Sequence, residues 1–493
     1  MYAMRRRATF ILAVAAAAAA CVAVVPDASA APARPAGPAQ RLATSNPWGR
    51  AQEVPGTAAL NKAHDAEITS VSCASAGNCS AGGYYAAAYG EYGTPITQPL
   101  VVSEVDGTWR KAEEVASPAG VSKNDWAGEV TSVSCASAGN CSAAVGGQFA
   151  VSEVHGTWQR ARVVPGIAGL SKGEAGITSL SCASAGNCGA GGYYLSGYAA
   201  NGTEAFQAFV VSEVHGTWRR AETVPGTAAL NKDGRAGIRS VSCGSAGNCG
   251  AGGYYTAGYV THAFVVSEVR GTWRKAKEVH GTAVLNEAGG AEIASMSCAS
   301  AGNCSAGGSG VVSEVDGTWR KARELPVTAA LSGSGGVGIT SVSCASAGNC
   351  SAGGSYSSGQ HANGTEIFQA FVASEVNGSW RKAAEVRGIV GLNKGGSAEI
   401  TSVSCASAGN CSAGGYYATG HRAANGADIS EAFVVSEVNG IWRRAEEVPG
   451  AAALSKGRGA QVTSVSCGSA GHCSAGGYYL AAFGGEAFVV SRK

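Results

Sequence analysis

Ile68-Thr69-Ser70-Val71-Ser72-Cys73-Ala74-Ser75-Ala76-Gly77-Asn78-Cys79-Ser80-Ala81-Gly82-Gly83-Tyr84-Tyr85 is a phrase that occurs, with small changes, eight times in the 493-residue chain. Its first cysteines are Cys73, Cys135, Cys182, Cys243, Cys298, Cys344, Cys405 and Cys467, so successive copies stand 62, 47, 61, 55, 46, 61 and 62 residues apart. Downstream of each comes a second phrase, as in Val101-Val102-Ser103-Glu104-Val105-Asp106-Gly107-Thr108-Trp109-Arg110. A period of this size marks a ring or a stack of one supersecondary unit. Each unit reads as four strands. Strand A is the Ile-Thr-Ser-Val-Ser-Cys run, rich in β-branched residues. A five-residue Ala-Ser-Ala-Gly-Asn loop leads to strand B, and the two cysteines then face each other across the hairpin. Strand C is Phe/Val-Val-Ser-Glu-Val, and strand D is Thr-Trp-Arg-Lys/Arg-Ala-x-x-Val. Between C and D lies a two-residue turn, x-Gly, with Asp106, His155, His215, Arg270, Asp316, Asn377 or Asn439 at x. Asn-Gly and Asp-Gly suit a type I′ turn. No amphipathic helix pattern of useful length appears.

Two fragments choose between ring and stack. The last unit runs from Cys467 to Val489-Val490-Ser491 and lacks a strand D. Pro47-Trp48-Gly49-Arg50-Ala51-Gln52-Glu53-Val54 is a strand D without its A, B and C. A ring uses such matched pieces to close and hide its edges, whereas an open solenoid has no need of them. The expected fold is therefore all-β: an eight-bladed β-propeller of four-stranded antiparallel blades over 47–493, closed by an N-terminal outer strand joining the last blade. The unit resembles those of WD-repeat and Kelch-type propellers. The Ser-Cys-x-Ser-x-x-x-Cys-x-Ala-x-Gly phrase resembles repeats of secreted bacterial proteins, from which it departs in having Val-x-Gly-Thr-Trp where that pattern has Trp-Asn-Gly. It does not make a sialidase Asp-box, because aspartate and tryptophan are too close and most units lack the aspartate.

Residues 1–30 read as a secretion signal, with Arg5–Arg7, an apolar run from Thr9 to Val25, and Ala28-Ser29-Ala30 as the cleavage site. Residues 31–46, rich in Ala and Pro, read as a flexible leader. A rival reading makes Cys21 a lipid-modified anchor, but Val22 to Val25 continue the apolar run where a lipoprotein turns polar. The mature protein is then extracellular, with no transmembrane segment. The other sixteen of the 17 cysteines form eight pairs, Cys73/Cys79, Cys135/Cys141, Cys182/Cys188, Cys243/Cys249, Cys298/Cys304, Cys344/Cys350, Cys405/Cys411 and Cys467/Cys473. Export and short even spacing favour disulfides. Zinc asks for closer spacing and histidine partners, and seven of the eight pairs have no histidine nearby. No cofactor or metal is expected. A net charge of +2 and 14% charged residues give no sign of nucleic-acid binding.

Repetition sorts function from scaffold without an alignment. Trp48, Trp109, Trp158, Trp218, Trp273, Trp319, Trp380 and Trp442 recur and read as interblade packing. The strand-C glutamates Glu104, Glu153, Glu213, Glu268, Glu314, Glu375 and Glu437 read as cross-strand partners of strand-D Lys/Arg. Variation gathers in the B–C and D–A connections, which open on one face, and binding surfaces are usually built this way. Tyrosine pairs start five B–C connections, and Tyr85, Tyr194, Tyr255, Tyr417 and Tyr479 are either a stacking surface for sugars or packing against the next blade. The D–A loops carry Lys62, Lys123, Lys172, Lys232, Lys394 and Lys456, either a ring attracting an anionic polymer or solvated turn residues. Trp126, in Lys123-Asn124-Asp125-Trp126, stands off the repeat position and is the best single contact candidate, set against local packing. Blades 2–4 and 5–7 match at offsets of 163, 162 and 162 residues, a triplet duplication that admits two equivalent ligand sites. Enzyme signatures are missing, and no catalytic residue is assigned. A glycosidase or lyase would draw on Glu129, Asp125, Glu204, Glu366, Asp428 and Glu431. The expectation is a monomeric, non-enzymatic propeller binding a cell-wall glycan or an envelope protein; the alternative is a carbohydrate-active enzyme with a central-pocket site.

Overall fold

The computed structural model describes residues 48–493, except 123–125, 127, 200–201, 232–233, 259, 282–289, 328–330, 332–336 and 424–425. Eight antiparallel sheets follow one another along the chain, each in the strand order A-B-C-D. In blade 1 these are Ala66–Ser75, Asn78–Tyr89, Pro95–Val105 and the split pair Thr108–Trp109 and Glu113–Glu114. Blade 8 comprises Ala460–Ser469, His472–Leu480 and Gly485–Arg492, and its outer strand is Gln52–Glu53. Gln52 pairs with Val489 and Glu53 with Phe488, and Trp48 bridges to Arg492. The first described residues thus complete the last sheet. The chain is an eight-bladed β-propeller.

Strand A is innermost, and its Ser-x-Ser pattern joins the blades. Ser70 Oγ accepts from the Val133 N–H and Ser72 Oγ from the Cys135 N–H, both at 2.9 Å. The same two bonds recur at all eight junctions, the last running from Ser464 and Ser466 back to Val71 and Cys73. Six strand-A threonines add a third bond to the next blade's backbone; Arg239 and Ala294 stand at the position in blades 4 and 5. Buried backbone and hydroxyl groups that lack water must find partners, and here they find them across the ring.

Strand D differs from its expected form. It breaks after the tryptophan, and the alanine in the break turns its N–H to the previous blade: Ala112 to Pro55 at 2.7 Å, Ala161 to Ala116, Ala221 to Pro165, and so on through Ala51 to Pro449. All eight blades make this outer bond. The A–B loop is tighter than expected, a two-residue turn with strands extending to Ser75 and Asn78. Gly77, at φ 69°, lies so close to the C–D turn that a Cβ would stand 2.7 Å from Gly107 N. At the seven C–D turns both residues have positive φ, as in Asp106 (50°) and Gly107 (75°), the expected type I′ form. Among the described residues, five D–A connections contain a single helical turn, such as Thr57–Leu60, too short to leave a periodic signal.

All eight expected disulfides form between directly opposed residues of strands A and B: Cys73–Cys79, Cys135–Cys141, Cys182–Cys188, Cys243–Cys249, Cys298–Cys304, Cys344–Cys350, Cys405–Cys411 and Cys467–Cys473. They suit an oxidising compartment. The sequence presents the two members of a pair as equivalents, but the structure does not. The strand-A cysteine is only partly buried, whereas the strand-B members Cys79, Cys141, Cys188, Cys249, Cys304, Cys350, Cys411 and Cys473 are core residues, none more than 5% exposed. Strand B is flanked by A and C, and its cysteine faces the preceding blade. Cys188 Sγ lies 3.7 Å from Ser142 Oγ, Cys350 Sγ 3.5 Å from Ser305 Oγ, Cys411 Sγ 3.3 Å from Ser351 Oγ and Cys473 Sγ 3.3 Å from Ser412 Oγ. Opposite Cys249 that serine is replaced by Gly189, whose missing Cβ would stand 3.0 Å from the sulfur. These cysteines are therefore interblade packing as well as cross-links.

The rest of the core is eight apolar layers between blades. In one of them Ile68, Tyr85, Leu100 and Trp109 of blade 1 meet Val54, Ala487 and Val489 of blade 8. No helix among the described residues is long and apolar enough to cross a membrane.

Candidate functional site

The B–C and D–A connections share one face, here the loop face, and the A–B and C–D turns share the other, the turn face. Strand A begins at the loop face beside the axis, so its second residue and the first tyrosine of strand B surround the axial mouth. Glu67 lies there with Tyr84 across the hairpin, the phenol donating to its carboxylate at 3.4 Å. Burial lifts the Glu67 carboxyl from 4.5 to about 7; the Tyr84 hydrogen bond opposes this, and Glu129 of blade 2 and Asp65 add to it. Burial likewise raises Glu129 and, against a Tyr416 hydrogen bond, Glu399 of blade 7. Tyr478 of blade 8 feels both Glu67 and Tyr416. Blades 7, 8, 1 and 2 therefore share an arc of carboxylates and phenols, and no lysine or arginine among the described residues acts on its three glutamates. Across the mouth, Arg239 lies over the Tyr254 ring (4.8 Å) and pairs with Glu292 at 3.2 Å.

Of the residues singled out in the sequence, several lie elsewhere. Tyr85, Tyr194, Tyr255, Tyr417 and Tyr479 are the members of their pairs that face the interblade layers, and each is buried. Tyr194 bonds Thr223 at 2.7 Å and Tyr479 bonds Glu53 at 3.2 Å, tying strand B to strand D. Their partners Tyr84, Tyr193, Tyr254, Tyr416 and Tyr478 are the half-buried ones. Alternation along the strand explains the exchange. Trp126 is 1% exposed, packs edge-on to Phe149 and donates to the Val115 carbonyl at 3.0 Å. It is a core residue rather than a surface contact, because an indole there fills the layer between blades 1 and 2. Lys123, Asp125 and Lys232 lie outside the described residues. Lys62, Lys172, Lys394 and Lys456 are exposed on the loop face. The asparagine before Lys62 and Lys394 is the anchor that sequence reading passed over. Buried Asn61 donates to Gly485 O and to Glu486, and Asn393 donates to Phe368 O and to Gln369. The disulfides stand at the other end of strand A, toward the turn face, and take no part in the mouth. Of the described members of the carboxylate pool, Glu129 alone reaches the mouth. Glu204 and Glu366 are exposed on strand C, Asp428 pairs with Arg422 at 3.1 Å, and Glu431 is buried beside Glu447 and lifted to about 7, mainly by burial. Among the described residues no three His, Cys, Asp or Glu side chains gather as a metal would need.

The strand-C glutamates are not surface partners of strand-D Lys/Arg. They are buried, and all but Glu213 reach back to serines of the preceding blade, while that blade's Arg162, Arg219, Lys277 and Arg323 act through space on Glu213, Glu268, Glu314 and Glu375. Ser80 and Ser103 of blade 1 each donate to Glu153 of blade 2 at 2.8 Å, and the Trp158 indole donates to Ser103 at 3.1 Å. Ser474 and Ser491 hold Glu104 and Trp109 in the same way, and Ser351 and Ser374 hold Glu437 and Trp442. Between blades 3 and 4, and 4 and 5, glycine replaces one serine and a single hydroxyl serves. In blade 8 Arg492 takes the glutamate's place and donates to Ser412 and Ser436. This clasp lies toward the turn face. Where the clasp is incomplete between blades 2 and 3 and between blades 5 and 6, clefts of about 390 Å³ and about 540 Å³ stand open, and a smaller one of about 190 Å³ lies beside Arg492 between blades 7 and 8.

No family model and no curated protein matches the sequence. Solved structures do. Sqt1 from Chaetomium thermophilum is 9% identical, covering 90% of this chain and 99% of that one, with a TM-score of 0.46. YCF48 from Cyanidioschyzon merolae is 15% identical, covering 74% and 96%, with a TM-score of 0.40. The WD40 repeats of RRP9 are 8% identical, covering 74% and 94%, with a TM-score of 0.41. The likeness is one of fold.

Proposed function

We propose that this protein is a secreted, monomeric propeller that binds a ligand of the cell envelope through its loop face without catalysis. The axial mouth receives the ligand's cationic groups, as a basic segment of an envelope protein would present them. Export rests on the Arg5–Arg7, apolar and Ala28-Ser29-Ala30 pattern, with the mature chain beginning near Ala31, and on the disulfides. The observation that carries the binding reading is the arc of Glu67 and Glu399, each half-buried beside a tyrosine, with exposed Glu129 next to Glu67 and no basic group among the described residues acting on the three. Carboxylates held partly out of water gain most from an incoming cation, and aromatic rings reinforce that attraction.

The test is retention of envelope proteins by the immobilised mature chain, followed by calorimetry of the retained partner. Retention is expected to weaken severalfold with added salt, to strengthen as pH rises through about 7 and Glu67 ionises, and to fail in Glu67→Gln/Glu399→Gln. Retention unchanged in the double variant would refute the assignment. Glu67 also supports a second reading, since a carboxylic acid poised near neutrality suits general-acid catalysis of glycoside cleavage. Release of reducing ends from cell-wall polysaccharide, lost in Glu67→Gln, would favour that enzyme.

A further inference from the structure

We propose that the cleft between blades 2 and 3 on the turn face is a saccharide site, where two adjacent sugar hydroxyls stand in for the serine hydroxyls of a closed junction. The site is separate from the axial mouth and does not rest on that reading. At the closed junction of blades 1 and 2, Ser80 and Ser103 oxygens lie 3.3 Å apart while both donate to Glu153. A vicinal diol offers the same pair of donors at a similar spacing. Between blades 2 and 3 the repeat supplies Ser142, Ser152, Glu213 and Trp218 at the matching positions, yet neither hydroxyl reaches the carboxylate. Glu213 is 4% exposed and lines the cleft, and its Oε2 is buried without a hydrogen-bond partner among the described residues. A buried carboxylate oxygen left in that state is costly, and a donor entering the cleft relieves it.

The rest of the lining selects among donors. Arg160 and Arg162 line the cleft and disfavour a cation, while Glu153 and Glu213 disfavour an anion. A neutral polyol meets both, giving hydroxyl protons to Glu213 and taking guanidinium protons from Arg162 on its oxygens. Trp218 adds an apolar wall against which the C–H face of a sugar ring packs. The volume suits one or two rings. The cleft also has a twin, one triplet of blades further on. There Ser305 holds Glu375 at 3.2 Å, but the buried Trp380 indole N–H has no partner among the described residues. Both openings follow the two blades with the shortest B and C strands, Asn140–Val145 with Phe149–Val154 and Asn303–Gly308 with Val311–Val315.

Calorimetry and saturation-transfer NMR with the methyl glycosides of glucose, mannose, galactose and N-acetylglucosamine test the site on the mature chain. At least one glycoside is expected to bind, about tenfold or more weakly in Glu213→Gln, as loss of a charged hydrogen bond implies. Ala185→Trp, at the exposed rim, is expected to abolish binding with an unchanged circular dichroism spectrum, and it decides the question alone should Glu213→Gln not fold. Glu67→Gln is expected to bind sugar normally, which separates this site from the mouth. No binding of any of the four glycosides, or parental affinity in both cleft variants, overturns the proposal.

Discussion

Blades 1 and 2 meet through Ser80, Ser103, Glu153 and Trp158, all joined by hydrogen bonds. Blades 2 and 3 carry Ser142, Ser152, Glu213 and Trp218 at the same repeat positions and hold them apart. Nearer the axis the two junctions are alike: Val133 N–H reaches Ser70 at 2.9 Å, and Leu180 N–H reaches Ser132 at 3.1 Å. The opening is therefore confined to strands B to D. A repeat residue sets which bond can form, and the length of its own blade sets whether the partners arrive.

Three measurements break or sharpen this contrast. The largest effect is expected from glutamate removal. Glu153→Ala strands two serine hydroxyls and should lower unfolding free energy in denaturant by roughly 2–3 kcal/mol. Glu213→Ala should change it little or raise it, because burial of the carboxylate outweighs its attraction to Arg162 and Oε2 has no hydrogen bond among the described residues; equal losses at the two sites would erase the distinction. A smaller difference, about 1 kcal/mol, is expected between Trp158→Phe and Trp218→Phe, since both lose ring area but only the first breaks a bond to serine. The smallest concerns pH. Glu67 has a phenol for a partner where Glu153 has two serines, and its folded pKa is raised from 4.5 to about 7. Its contribution to stability is complete below 4.5 and is lost as pH rises through 7. Glu67→Gln should thus stabilise the fold by about 1 kcal/mol or less at pH 8, after allowance for solvent screening, and leave it unchanged at pH 4. The opposite order in thermal melts would mean that the fold favours the ionised form of Glu67.

Repetition made the ring legible. Eight cysteine pairs, eight strand-D tryptophans and the two unmatched fragments around Trp48 and Val489 left few other arrangements. Contacts between blades were not legible, since no spacing within one unit reports on its neighbour. The break in strand D serves an N–H bond to the previous blade, and the glutamate of strand C serves serines some fifty to ninety residues away or, at closure, 370 and more. The cysteines show the same limit: their pairing was clear from spacing, but that Cys188 or Cys411 faces the preceding blade was not. The tyrosine pairs were half legible. Their place at the end of strand B was clear, but which ring faces the axis depends on pleat register, and the bulge between Ile68 and Ser70 shifts that register within strand A. Trp126 looked exceptional for being off the repeat, and it proves to be filling where blade 2 departs from its sisters. The open junction left no trace in residue type, since the residues on either side of it are those of a closed one; only the short spacings of 47 and 46 residues mark the blades that precede the two openings.

The outer ring of alanine N–H bonds imposes an order of assembly. Ala51 needs Pro449, and the strand carrying Ala51 needs Phe488 and Val489. The segment that leaves the ribosome early must therefore wait for almost the whole chain before its hydrogen bonds exist. Pairing over such separations is slow, whereas each disulfide spans a hairpin with a sequence separation of only 6 and can be made as soon as its own two strands emerge. Each hairpin can therefore be cross-linked before any ring exists, whereas the circle is sealed only when the segment around Ala51 meets Phe488 and Val489.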